Sequence, residues 1–355
     1  MRKKVSSGSF SVQAIAGTHV VLLGMNLAKA QCPGLLGFGI RRTDHTEGET
    51  YWLSGYKTFA TVVPQPAKGV LYSTQKHPIQ GFTWSDFSAK PSHDYTYEVI
   101  AIRGTPTTPK EGQKVSVKVT TEGTRVPDSI HHVHFNRGAA ASQEYTRRFG
   151  DRRPDEVGQE AYDWLSRGAA EAIGSFLLRA ADSGWGLLVG AYEFTEPRIL
   201  LALKDAWKNR KVDVQILYHA VNDDQKKANE KAISDNGLGP VCQPRKAVGL
   251  TLSHNKIIIL TKGGVAQAVL TGSTNFSIGG VYGHSNVVHI CEDTGIADQY
   301  KSLWEELEKN RPKKTAAPDI DAASPEPPSP PPKGTRPIFS PRPDLDALNW
   351  YAAAA

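Results

Sequence analysis

Four polar residues of the types needed to bind and attack a phosphate lie close together in residues 252–280. His254 and Lys256 stand two apart at the start of one apolar run, and Ser273 and Asn275 stand two apart after a second. Side chains two apart on an extended segment point to the same face. A neutral imidazole can attack phosphorus, an ammonium can neutralise a phosphoryl oxygen, and hydroxyl and amide groups can donate hydrogen bonds to it. The pattern therefore predicts a hairpin that holds a phosphate against a nucleophilic imidazole.

A sheet must position this hairpin, and the surrounding sequence predicts one. The hairpin itself is expected to turn on Lys262-Gly263-Gly264. Upstream and downstream, segments with strand and helix patterns alternate. In order they are GQEAYDWLSRGAAEAIGSFLLRAADSG (helix), WGLLVGAYEF (strand), EPRILLALKDAWKNR (helix), KVDVQILYHA (strand) and, after the hairpin, IADQYKSLWEELEKN (helix). This alternation predicts βαβ units and a parallel or mixed sheet flanked by helices over residues 126–310.

Residues 1–125 have a different pattern, in which short alternating segments are separated by Gly and Pro clusters. The candidate strands are FSVQAI, THVVLLGM, LLGFGIRR, ETYWLSGYKTF, YTYEVIAIRG and KVSVKVTTE. Strands without intervening helices predict an antiparallel β-sandwich. Tyr95 and Tyr97 in SHDYTYEVIAIRG resemble the late strand of a fibronectin type III module. That resemblance implies an aromatic hydroxyl that ties the strand to the preceding turn.

The C-terminal part divides into two further segments. Residues 311–343 hold eleven of the 23 prolines, which predicts a semi-rigid, solvated linker. Residues 344–355 begin like a helix, and we interpret them as the start of a second half or as a truncated tail. The predicted fold is therefore multidomain, with a β-sandwich followed by an α/β domain.

Composition sets broad limits on partners and compartment. The chain has 355 residues, 39% of them hydrophobic and 22% charged, as in an ordinary globular protein. Its formal net charge of +6 favours a polyanionic partner such as nucleic acid. Three scattered cysteines predict no disulfide framework, and polar residues interrupt the apolar part of the basic N-terminal stretch. These features favour a cytoplasmic protein without membrane association.

The hairpin residues together resemble a known family. His254-Asn255-Lys256 followed by Gly272-Ser273-Thr274-Asn275 resembles the HxK…GSxN signature of the phospholipase D superfamily. The resemblance implies that residues 126–310 form one catalytic half of such a fold. It also implies that His254 is the nucleophile or its acid/base partner, and that Lys256, Ser273 and Asn275 bind phosphate, with Gly272 in a supporting position.

Two positions depart from the family pattern. The family usually has an Asp five residues after the Lys, where this chain has Thr261; we expect this loss to be tolerated, because the Asp supports the hairpin. Many members have a Glu eleven residues after the Asn, and here that position is Asn286. Its amide oxygen could still orient the imidazole without adding negative charge, so we expect a less basic histidine.

Other candidate residues are weaker. Arg245 and Lys246 could touch a nucleic-acid backbone or form a solvated basic pair, and His284 could line the mouth of the pocket. His132 and His134 share a strand face, as a metal pair would, but a polar strand end is the simpler interpretation, so no metal site is predicted.

Three functions remain open from sequence. The leading one is a metal-independent phosphodiesterase without cofactors, most simply a DNA nuclease that forms a phosphohistidine. The second is a phospholipase or other small-diester hydrolase. The third is a subunit that binds nucleic acid without cutting it, within a multi-protein assembly such as a bacterial defence complex, which is an analogy only. In the third case the β-sandwich docks a protein partner.

One HxK motif is half of what the superfamily site uses. In-line displacement places the attacking group and the proton donor on opposite sides of phosphorus, so one histidine cannot serve both. The sequence therefore predicts either a homodimer that contributes one motif from each chain or a second half in a longer natural chain.

Overall fold

The computed structural model describes residues 1–125, 127–138 and 142–355. The chain divides into two units, one made mainly of strands and one that contains both strands and helices. The first unit comprises residues 1–127 with 141–151, and the second comprises 128–140 with 152–355. The predicted boundary at residue 126 falls on a residue outside the described part.

The first unit is built from antiparallel sheets. Its elements are β1 (Arg2–Ser7), β2 (Phe10–Ala16), β3 (Val21–Leu27), β4 (Gly37–Asp44), β5 (Glu49–Trp52), β6 (Ser54–Gly55), β7 (Tyr72–Ser73), β8 (Thr83–Asp86), β9 (Asp94–Thr105), β10 (Thr108–Thr120) and α1 (Gln143–Phe149). Two four-stranded sheets, ordered β1-β2-β3-β8 and β10-β9-β4-β5, contribute to one hydrophobic core. Phe10, Leu23, Phe38 and Val117 are fully buried in that core, as alternating patterns predict for half-buried strands. The prediction of antiparallel sheets is confirmed.

The tyrosine pair of β9 makes the kind of tie that the sequence suggested. The backbone N–H of Lys90 donates to the Tyr95 hydroxyl at 2.9 Å, and the Tyr97 hydroxyl donates to Asp86 at 2.8 Å. Both tyrosines are fully buried, so these bonds satisfy hydroxyls that would otherwise be costly to bury. The specific likeness to a fibronectin type III module stays a prediction.

The second unit has a seven-stranded sheet with helices. Its strands are β11 (His131–Phe135), β12 (Trp185–Ala191), β13 (Asp213–His219), β14 (Cys242–Arg245), β15 (Lys256–Lys262), β16 (Val265–Gly272) and β17 (Val287–Cys291). Its helices are α2 (Pro154–Val157), α3 (Gln159–Ser166), α4 (Ala169–Leu178), α5 (Pro197–Lys208), α6 (Asp223–Asp235), α7 (Thr294–Glu308), α8 (Lys313–Ala323) and α9 (Asp346–Ala354).

Strand directions make the sheet mixed, as predicted. The order is β11-β17-β16-β15-β12-β13-β14; β12, β13 and β14 run parallel, and every other neighbouring pair is antiparallel. The parallel strands are joined through α5 and α6 in βαβ fashion. The β15–β16 hairpin turns at Gly263 and Gly264, whose φ angles of 56° and 79° suit glycine in a two-residue turn.

The long helix expected over residues 158–184 is two helices. α3 ends at Ser166 and α4 begins at Ala169, and the connecting residues Arg167 and Gly168 have left-handed backbone conformations, with φ of 49° and 89°. The apolar spacing predicts the buried faces of both helices but does not show the break, which Gly168 permits.

The expectation of a solvated linker over residues 311–343 is wrong for part of that segment. α8 buries Ala316 and Ile320 in the same core cluster as Trp304 of α7, and Phe339 joins them. Apolar residues spaced three to four apart pack against α7 even though Pro318 interrupts the helix. Proline content hid this pattern in the sequence.

Within the described residues, no helix combines the length and the apolar character needed to cross a membrane.

Candidate active site

The candidate residues gather at one edge of the second unit's sheet. Ala191, the last residue of β12, pairs with Lys256, the first residue of β15. On the other side of β15, Ile258 pairs with Leu270, so β15 and β16 reach this edge side by side. The carboxyl ends of the parallel strands β12 and β13 meet the same edge, which is where open α/β sheets commonly bind ligands.

His254 and Lys256 are presented differently. His254 lies in the loop before β15 with its side chain exposed, whereas Lys256 is only 7% exposed. The Lys256 ammonium donates to the His254 carbonyl at 3.0 Å and lies 5.3 Å from the ring centroid of Tyr192. The His254 ring meets the same tyrosine edge-on, with centroids 4.5 Å apart. Tyr192 therefore contacts both signature residues.

Burial and charge tune both titratable groups. Burial lowers the pKa of His254 below its usual value; the Lys256 ammonium adds to this, while Glu193 opposes it. Burial also lowers the pKa of Lys256, to about 8, against the opposing field of Glu193. At pH 7 the imidazole is therefore neutral, as a nucleophile must be, and the ammonium is still charged.

Glu193 is an acidic residue near His254 and Lys256 that sequence reasoning did not identify. It follows β12 by two residues and accepts a hydrogen bond from the Ser277 hydroxyl at 2.5 Å. The available signal was its place just after an apolar strand that pairs with β15, but strand order is not visible in the sequence. Tyr192, its neighbour, was missed for the same reason.

Ser273 and Asn286 form a pair that the sequence did not predict. The Ser273 hydroxyl donates to the Asn286 amide oxygen at 2.9 Å and accepts the Val287 N–H at 3.1 Å. The Asn286 amide nitrogen donates to the Gly280 carbonyl at 2.8 Å. The Asn286 side chain is therefore engaged with Ser273 and Gly280, and its role in orienting His254 stays a prediction.

Glycines set the path of the chain around Asn275. Gly272 has φ of 131°, and a Cβ there would lie 2.2 Å from the Val287 carbonyl oxygen. Asn275 is half-buried, and its amide oxygen has no hydrogen-bond partner among the described residues. Gly280 packs directly against the Asn275 backbone, since a Cβ at Gly280 would lie 2.4 Å from the Asn275 carbonyl oxygen.

Thr261 lies at the opposite end of β15 from His254. It is 5% exposed, pairs with Gly186 of β12, and its hydroxyl would meet a Cβ at Gly186 at 2.4 Å. This position is structural and does not touch the site residues.

His219 is a further residue that sequence reasoning missed. It ends β13, is fully buried, and its Nδ1 accepts the Ser253 N–H at 3.1 Å. Its ring lies 4.8 Å from that of Tyr192, and burial lowers its pKa. His219 thereby anchors the loop that carries His254.

The weaker candidates Arg245, Lys246 and His284 lie in different environments. Arg245 is 3% exposed and donates to the Leu307 carbonyl, so it is not part of a solvated pair, whereas the neighbouring Lys246 is exposed. A cavity of about 540 Å³ beside His254 is lined by Arg245 but not by His284, whose carbonyl accepts the Asn136 amide.

The histidines of β11 take different partners. His132 approaches Glu292 at 3.9 Å, whereas His131, on the other face, lies 3.0 Å from a ring nitrogen of His289. In the described residues neither pair belongs to a group of three metal-ligating side chains.

Comparisons with known proteins find a match to a protein family within the second unit. Residues 180–307 match the family model described as cardiolipin synthase, PLD-like domain. A solved phospholipase D family member, Nuc from Salmonella typhimurium, is 28% identical, with 38% of this chain and 86% of that chain covered and a TM-score of 0.30. NucT from Helicobacter pylori is 21% identical, with 42% and 91% covered and a TM-score of 0.34. No curated protein matches the chain.

The matched segment includes every signature residue and the acid that sequence reasoning missed. It runs from the end of α4 to the end of α7 and so contains β12 to β17 and the whole site edge. Residues 180–307 therefore match a phospholipase D-like domain.

Proposed function

We propose that this chain is a metal-independent phosphodiesterase whose substrate is DNA and whose nucleophile is His254. The observation that carries the proposal is the pairing of a neutral, exposed imidazole with the buried ammonium of Lys256, beside Ser273 and Asn275. The net charge of +6 supports a polyanionic substrate.

The reaction divides into two displacements. A ring nitrogen of His254 attacks phosphorus, a nitrogen–phosphorus bond forms, and the bond to the leaving oxygen breaks; water then hydrolyses the phosphohistidine. Lys256 and the Asn275 amide stabilise charge on the non-bridging oxygens. Ser273 joins them only by exchanging its present bond to Asn286 for one to phosphate.

The leaving oxygen needs a proton from a second group. We propose that a second HxK motif supplies it, from a partner copy of this chain or from a second half of a longer one. The first unit, with its fibronectin type III-like pattern, would then dock a protein partner.

The test is DNA cleavage in excess chelator. Wild type is expected to cleave, and His254→Ala is expected to lose activity by a factor on the order of 1,000 or more, because the covalent route is lost. Val265→Ala, exposed at the far turn of the same hairpin, is the control for general damage to the hairpin. Wild type that cleaves no form of DNA or RNA would contradict the proposal.

A further inference from the structure

The cavity beside His254 is built by two separate stretches of the chain. One wall is the loop between β14 and β15, which includes Ser253, His254 and Asn255. The facing wall is C-terminal, formed by Ile338, Ser340, Pro341, Arg342, Asp344, Ala347, Leu348 and Tyr351. The cavity thus continues directly from the nucleophile into space of about 540 Å³, which is enough for a ligand larger than one phosphate.

Arg245 lines this cavity as a buried cation that forms no ion pair with an acid in the described part of the chain. It is 3% exposed, one terminal nitrogen donates to the Leu307 carbonyl, and its Nε has no hydrogen-bond partner among the described residues. None of the described ion pairs includes it. The acid whose field reaches it is Glu306, which is already paired with Lys309 and Arg311. Burying an unpaired charge is costly, so the site is suited to an anion.

The charged residues that line the cavity give its lining a net positive charge. Arg342 is neutralised by ion pairs to Asp321 and Glu326. Lys313 adds an exposed ammonium, and Asp344 adds one carboxylate. Asp321 and Glu326 do not line the cavity, so the lining itself carries three cations, Arg245, Lys313 and Arg342, against the one carboxylate of Asp344.

Apolar surface borders the same cavity. Leu252, Leu348 and Tyr351 all line it and are 44%, 64% and 54% exposed, so their apolar surface is open to a ligand. A flat aromatic or heterocyclic group can pack on such surface while an attached phosphate reaches an arginine.

We propose that this cavity binds the nucleotide next to the scissile phosphodiester, with its phosphate on Arg245 and its base against Leu348 and Tyr351. The proposal rests on the proposed phosphodiesterase function and narrows its substrate to a chain of at least two phosphodiesters. An isolated diester fills only the position at His254.

The experiment compares a short oligodeoxythymidine with bis(p-nitrophenyl) phosphate, in excess chelator. Oligonucleotide binding is measured by fluorescence anisotropy, and turnover is measured on both substrates. Arg245→Gln removes the buried charge. Lys227→Gln removes an equal charge from an exposed position on α6 and is the matched control, and Arg245→Lys restores a cation. Thermal unfolding confirms that each variant is folded.

Arg245→Gln is expected to weaken oligonucleotide binding and raise KM by about 10- to 100-fold, the usual effect of losing a charged hydrogen bond. Turnover of bis(p-nitrophenyl) phosphate should stay within about twofold, and Arg245→Lys should recover part of the oligonucleotide binding. Equal effects of Arg245→Gln and Lys227→Gln on binding would overturn the subsite, as would equal losses on both substrates.

The experiment distinguishes an error in the proposed phosphodiesterase activity from an error in the proposed Arg245 subsite. Wild type that cleaves neither substrate contradicts the phosphodiesterase, while the anisotropy arm still decides whether Arg245 binds the oligonucleotide. Turnover of phosphatidylcholine vesicles that exceeds oligonucleotide cleavage and does not depend on Arg245 would overturn the subsite in favour of a lipid substrate.

Discussion

His254 and Lys256 need opposite protonation states at the same pH, and their surroundings allow both. In the proposed mechanism the imidazole must be neutral to attack phosphorus, and the ammonium must be charged to bind phosphate. Burial lowers both pKa values, and Glu193 raises both, so the two groups retain a common working range. Without any acid, burial would bring the Lys256 pKa still closer to neutrality.

The first prediction is a bell-shaped dependence of kcat/KM on pH, because this parameter reports the free enzyme. The His254 pKa lies below its usual value, so the midpoint of the rising limb should lie below about pH 6.5. The Lys256 pKa is about 8, so kcat/KM should fall as pH rises through that value. Activity that is flat to pH 10 would contradict the assignment of Lys256.

Glu193→Gln provides the second prediction at this scale. Removing the carboxylate lowers both pKa values, so the falling limb should move below pH 8. Ser277→Ala is the matched control, because it removes the hydrogen bond to Glu193 and keeps the charge. An unchanged falling limb in Glu193→Gln would show that the acid does not act on Lys256.

Residue types and spacing predicted His254, Lys256, Ser273 and Asn275, because signature residues are local in sequence. Glu193 could not be found in this way. It reaches the site only because β12 pairs with β15, a contact between segments more than 60 residues apart.

At the scale of elements, a π-helical turn at Gly279–Gly283 holds the loop that carries Asn275. Such turns are rare and often lie at functional sites. The close approach of Gly280 to the Asn275 backbone fixes where the amide points.

The third prediction follows from that contact. Gly280→Ala should displace Asn275 and lower kcat by about 100-fold, the usual effect of losing one hydrogen-bond donor to the transition state. Gly283→Ala is the control in the same turn, since a Cβ there meets nothing within 4 Å. Steady-state kinetics, with thermal unfolding to confirm the fold, make the comparison. Equal activities of the two variants would contradict the role of Asn275.

Element prediction worked where hydrophobic periodicity was strong and failed where pairing or packing decided the structure. β1 is mostly exposed and charged, and it is a strand because it pairs with β2 along its whole length. α8 was hidden by prolines, although Ala316 and Ile320 face the core with helical spacing. In both cases tertiary contacts override local composition.

At the scale of the whole molecule, the proposed mechanism needs a second histidine to protonate the leaving oxygen, and a 355-residue chain can obtain it from a second copy of itself. The fourth prediction is that any cleavage by the 355-residue chain belongs to a dimer. Mixing wild type with a ninefold excess of His254→Ala should lower the activity per wild-type chain by about tenfold, because most wild-type chains then lack a wild-type partner. Light scattering gives the mass. A monomer that cleaves DNA at full rate would contradict this prediction.

The most direct test of the account is to trap the covalent intermediate. DNA is mixed with wild type in excess chelator, the reaction is quenched at high pH, where phosphohistidine survives, and the protein is digested for mass spectrometry. The account predicts a nucleotide attached to the peptide that contains His254, and no such adduct in His254→Ala. Cleavage that proceeds in His254→Ala, or an adduct on another residue, would contradict it.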